Sequence, residues 1–111
     1  MPFTTAGKNQ MLNNFGITHA GLFDGDPESG GTECSGGGYA RQSDSFSSAS
    51  GGSKAASGTP TFSVPSGFTV RYVSWHTASS GGTLIAKASV SDEAFGSAGT
   101  YTLTTQTFSL S

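Results

Sequence analysis

Apolar residues along this chain alternate with polar ones over most of its length, and the exceptions mark its turns and its one helix. Near the start, Ala6, Met11, Leu12 and Phe15 fall at helical spacing in AGKNQMLNNF. Thr4 or Thr5 can cap that segment, and Asn14 with Gly16 can stop it. From Thr18 the period becomes two. In HAGLF, Ala20 and Leu22 share one face, and His19, Gly21 and Phe23 share the other. Further strands are predicted around Phe46 over Gln42 to Ser48, and from Thr59 to Val64. Gly51-Gly52 and Pro65-Ser66-Gly67 are predicted turns.

FTVRYVSWH reads as the main core strand. Phe68, Val70 and Tyr72 alternate until the apolar face switches to Val73 and Trp75, which implies a bulge or burial on both faces. After a turn at Ser79 to Gly82, Thr83 to Ser89 alternates again, with Leu84, Ala86 and Ala88 on one face and Ile85 and Lys87 on the other. Ser91 to Gly99, containing Phe95, reads as a loop. In the last segment Tyr101 and Leu103 alternate with threonines, the phase slips, and Phe108 and Leu110 resume, as at a bulge or a crossing between sheets. The expectation is an all-β, antiparallel sandwich of about seven or eight strands, jelly-roll or immunoglobulin-like, with one short N-terminal helix. It forms one domain over 1–111, with the arm and helix in 1–16 and the strands in 17–111.

Composition makes that core thin. Leu, Ile, Val and Phe supply 19 of 111 residues, while 17 glycines and many Ser and Thr supply turns and strand faces. A chain this size buries about two-thirds of its unfolded surface, so association with neighbours is a natural source of added stability. The net charge of −2 and the scattered Lys8, Arg41, Lys54, Arg71 and Lys87 argue against nucleic acid. No apolar run approaches a membrane span, and the N-terminus lacks the apolar stretch of a signal peptide, so synthesis in the cytosol is expected. Cys34 is the single cysteine.

The stretch from Ile17 to Ser43 invites a search for chemistry. Asp24-Gly-Asp-Pro-Glu28 has alternating carboxylates, but an EF-hand counted from Asp24 puts Ser29 and Ser35 where Gly and Glu belong. His19, Cys34 and His76 are isolated, without the spacing of a zinc site. Gly36-Gly37-Gly38 lacks the Lys-Ser/Thr ending of a phosphate loop, and no G-x-S-x-G accompanies the serines. No enzyme, metal or cofactor is expected.

FTTAGKNQMLNNF, ITHAGLFDGDP, GYARQS, SGGSKAASGTPTFSVPSGFTVRYVSW and FGSAGTYTLTTQTFSLS, in that order, make the chain resemble a family of small virion proteins from tailed bacteriophages and prophages, many of them tail-fibre-like. It departs from the family pattern at LFDGDP, where a His-Thr pair commonly follows the Leu, and at Glu33-Cys34, where Val is usual in place of Cys. The resemblance implies a phage structural role on a β-rich module in the virion. One compact domain suits a capsid decoration or cement protein on the outside of the head lattice, with the major capsid protein as partner; the alternative is a small tail or fibre-tip module binding tail proteins, receptor or glycan. A homo-oligomer, a trimer among its forms, is expected, without nucleic acid or membrane. Candidate contact residues are Met1, Pro2 and Phe3 of the arm, Asp24, Asp26 and Glu28 of the acidic loop, and Tyr39 and Arg41, residue types enriched at interface hot spots. Phe3 either packs back on its own domain, the ordinary fate of an aromatic, or docks on a neighbouring subunit.

Overall fold

The computed structural model describes residues 3–104 and 106–109, so the predicted contacts of Met1 and Pro2 and the predicted strand position of Leu110 lie outside the described residues. Helix α1 spans Thr5–Asn13. Thr4 caps it: its backbone is extended and its Oγ1 accepts a hydrogen bond from Gly7 N at 3.0 Å. Such a short helix is marginal alone, and of its side chains only Leu12 is buried. Asparagines attach it instead. Asn9 Oδ1 accepts from Gly52 N at 2.8 Å, and Asn13 Oδ1 accepts from Ala49 N and Lys54 Nζ, both at 2.9 Å.

Among the described residues eight antiparallel strands follow: β1 His19–Phe23, β2 Gln42–Ser43, β3 Ser53–Ala55, β4 Thr61–Val64, β5 Thr69–His76, β6 Leu84–Ala94, β7 Gly99–Thr102 and β8 Thr107–Ser109. A four-stranded sheet has the order β2-β1-β5-β6, and two ribbons pair β3 with β8 and β4 with β7. The predicted phase slip after Leu103 is where the chain leaves β4's partner strand to become β3's. Ala20, Leu22, Val70, Val73 and Trp75 from the sheet pack with Phe62, Val64 and Leu103 in one apolar cluster. Phe108 closes it from the β3–β8 ribbon, edge-on to Trp75 at 4.9 Å between ring centroids. The molecule is an all-β antiparallel fold with one short helix.

Several expected boundaries move. The strand expected over Gln42 to Ser48 is paired only at Gln42–Ser43, with a further bridge from Phe46 to Ala56. Ser53–Ala55, just after the expected Gly51-Gly52 turn and assigned no strand from sequence, is one, because pairing with β8 supplies its hydrogen bonds. The expected loop from Ser91 to Gly99 is largely strand. β6 runs on to Ala94, paired with Thr69 of β5, despite a polar Ser-Asp-Glu stretch that carries no apolar alternation. The predicted irregularity in β5 is present: Tyr72 faces Ser89 and Val70 faces Glu93, so Arg71 lies opposite three residues of β6. The far face of β5 is also buried, through Ser74 and His76. Phe3 is not buried in the domain; it is 49% exposed.

Candidate interaction surface

The segment leaving β1 folds across the far face of the four-stranded sheet and is fixed at both ends. Its first part closes on itself. Asp24 N donates to Thr32 O, Thr32 N donates to Asp24 Oδ1 at 2.7 Å, and Asp26 O accepts from Ser29 N and Gly31 N. Asp26 Oδ1 accepts from Glu28 N, an Asx turn around Pro27. A Cβ on Gly31 would strike the backbone of Gly25, so this turn requires glycine. Across the sheet, Lys87 of β6 binds Asp26 Oδ1 at 2.7 Å and Glu28 Oε1 at 2.8 Å. Arg71 of β5 donates to Asp24 O at 3.1 Å. The Lys87 hydrogen bond is the main cause that holds the Asp26 carboxyl below its ordinary range.

The second anchor is a polar cluster over Gly21. Glu33 Oε2 accepts from Tyr39 Oη and Arg41 Nε, each at 2.8 Å, and Oε1 accepts from Arg41 Nη2 at 2.9 Å. Tyr39 Oη also accepts from Leu22 N at 3.0 Å, satisfying the edge of β1 that β2 is too short to reach. Arg41 Nη1 extends to the carbonyls of Ala78 and Gly81, tying in the β5–β6 turn. Burial pushes the Glu33 carboxyl up, but the hydrogen bonds from Arg41 and Tyr39 outweigh it, and Glu33 titrates below its ordinary value. Desolvation and the adjacent Glu33 push the Tyr39 hydroxyl far up.

Gly21 makes room for this cluster. A Cβ there would lie 3.0 Å from Glu33 Oε2, Ser74 Oγ and Tyr39 Oη. The triple glycine serves the backbone: Gly36, Gly37 and Gly38 all have left-handed φ, at 82°, 62° and 84°, which side-chain-bearing residues rarely adopt.

Ser74, His76 and Glu33 have the composition of a hydrolase triad, and Ser74 Oγ lies 2.7 Å from His76 Nε2. The arrangement does not work as one. Ser74 is fully buried, and Glu33 directs its oxygens at Arg41 and Tyr39. His76, stacked on Phe23, is held below its ordinary pKa chiefly by burial, then by Arg41. A cleft of about 280 Å³ between Glu33, Tyr39, Arg41 and Ser79–Gly81 lies above this cluster. Among the described residues no group of three or more His, Cys, Asp or Glu side chains converges as metal ligands would. No helix among them is long and apolar enough to cross a membrane.

Of the contact residues expected from sequence, Asp24, Asp26 and Glu28 meet in the first anchor, and Tyr39 and Arg41 in the second. Phe3 belongs to neither. Sequence reasoning missed Glu33, Lys87 and Ser74 as site residues and weighed His76 only as a zinc ligand. The one local signal was Gly21, a residue without a side chain in the middle of a strand.

Residues 4–111 match the family model described as Podophage GP4 fiber I protein gp80. The chain belongs to this family. It is a small structural protein of the tailed-phage virion. No curated protein and no solved structure matches it.

Proposed function

We propose that this protein is a non-enzymatic fibre module of the virion, and that the face formed by residues 24–41 is its contact surface for another virion protein. The doubly anchored loop carries this reading. Loops that are merely solvated do not need an ion-paired strut at each end, whereas a loop ordered before binding loses less entropy on docking. The family description favours a fibre over the head lattice. A carbohydrate-binding tip is less well supported, because sugars stack on exposed aromatic rings and Phe3, far from this loop in sequence, is the exposed aromatic among the described residues.

Particles lacking the protein, mixed with purified tagged protein and imaged by cryo-microscopy, test the assignment. A few copies per particle at the tail are expected. Hundreds spread over the head would overturn the fibre placement in favour of capsid decoration. Reversing the surface charge at Glu28 with Glu28→Lys is expected to weaken attachment at least about tenfold, as loss of a complementary charge contact does.

A further inference from the structure

The large hydrophobic side chains exposed among the described residues are Phe3, Met11 and Ile85. Two of them rim one groove. Met11, Leu12, Phe15 and Ile17 from the helix side and Ile85, Ala86 and Phe108 from the strands enclose about 320 Å³, with no polar side chain in the lining. A cavity of roughly 150 Å³ is enough to hold a benzene ring. The groove therefore has room for an aromatic side chain.

The third exposed residue is an aromatic without a seat. Phe3 immediately precedes the N-cap Thr4, where an apolar residue ordinarily packs on the fourth helical position as a hydrophobic staple. That position is Lys8, so the staple is missing. Phe3 is absent from the lining of its own chain's groove and stays 49% exposed. One chain thus carries both an unfilled apolar socket and an unseated apolar knob.

We propose that the groove between α1 and β6 is the seat for Phe3 of a second copy of this chain. The arm of one copy meets the groove of the next, either reciprocally in an isologous two-fold pair or head-to-tail around a closed ring. A single aromatic buries about 150–250 Å², well short of the ~1,200 Å² of a stable interface, so the arm is one anchor of a larger contact. The adjoining edge of β6 supplies the rest. It is eleven residues long, has no strand partner on its outer side among the described residues, and contains no proline. Its single lysine, the usual guard of such an edge, is drawn aside onto Asp26 and Glu28. The proposal rests on the reading of the protein as a subunit of a multi-copy virion assembly.

Sedimentation of the full-length chain between about 1 µM and 1 mM tests it. Concentration-dependent association is expected, weakened about tenfold or more by Phe3→Ala and by Ile85→Asp, with the melting of the dilute protein unchanged for Phe3→Ala. A chain carrying Phe3→Cys mixed with one carrying Met11→Cys is expected to form a mixed disulfide, which Thr100→Cys in place of Met11→Cys does not. A monomer throughout the range overturns the proposal, as does association that Phe3→Ala leaves intact. Binding to the head instead of the tail would overturn the fibre placement and leave this contact standing.

Discussion

Gly21 and Cys34 show how much of the candidate site depends on single atoms. Gly21→Ala would push a methyl group against Glu33 and Tyr39, hydrogen-bonded to each other, and against Ser74, bonded to His76, and overpacking of this kind costs about 1–3 kcal/mol. Urea denaturation is expected to show that loss, together with faster amide exchange around Tyr39. Glu33→Gln removes the anion from Arg41, whose side chain is only 11% exposed, and is expected to cost about 1–3 kcal/mol by the same measurement. Cys34 behaves differently. It is buried in the apolar cluster, and desolvation first, then Glu33, raises its thiol pKa, so it is a packing residue rather than a nucleophile. Cys34→Val is expected to stay within about 1 kcal/mol of the parent, and the native thiol is expected to react with a disulfide reagent only at the rate of unfolding.

Between β1 and β6 the acidic loop acts as a strap, and its two ends differ in strength. The Lys87 pairs with Asp26 and Glu28 are largely solvent-exposed, so Lys87→Ala is expected to leave the melting temperature nearly unchanged. Amide exchange in residues 24–32 should nevertheless quicken, because the free end opens locally; unchanged exchange would show that the loop is held by its own turn alone. Elements of this kind are unevenly legible in the sequence. Strand β1 and the capped helix could be read because alternation in HAGLF and the Thr4 cap are local signals. β3 and the second half of β6 could not, because their order comes from hydrogen bonds to β8 and β5 and not from any apolar face of their own. For the same reason Asp26 was visible as an acid in a turn while its partner Lys87, 61 residues on, was not. Glu33 and Arg41 lie eight apart on an irregular loop, a spacing that corresponds to no periodic element.

At the scale of the molecule these anchors join in one response to acid. Glu33 and Asp26 both titrate below their ordinary values of 4.5 and 3.8, so their contribution is fully present above those values and is lost as pH falls through the lower folded-state pKa. His76 adds to the loss earlier. Its folded pKa lies below 6.5, so below pH 6.5 the unfolded chain takes up a proton that the folded chain refuses, and stability falls with pH. Asp44 works the other way: burial raises its pKa against the hydrogen bonds from Ser45 and Trp75, so near pH 4 the folded state accepts its proton more readily than the unfolded one. Asp26, in an exposed pair, adds little, so His76 and Glu33 carry the decline and Asp44 only softens it. Urea midpoints are therefore expected to be highest near neutrality, to slope down gently below pH 6.5, and to drop steeply below about pH 4.5. His76→Gln, which keeps a polar group beside Ser74 but cannot take up the proton, should remove the gentle slope and keep the steep one. Glu33→Gln should flatten the steep one. A His76→Gln protein with the parent profile between pH 7 and 5 would mean that the buried imidazole is not what senses the first stage of acidification.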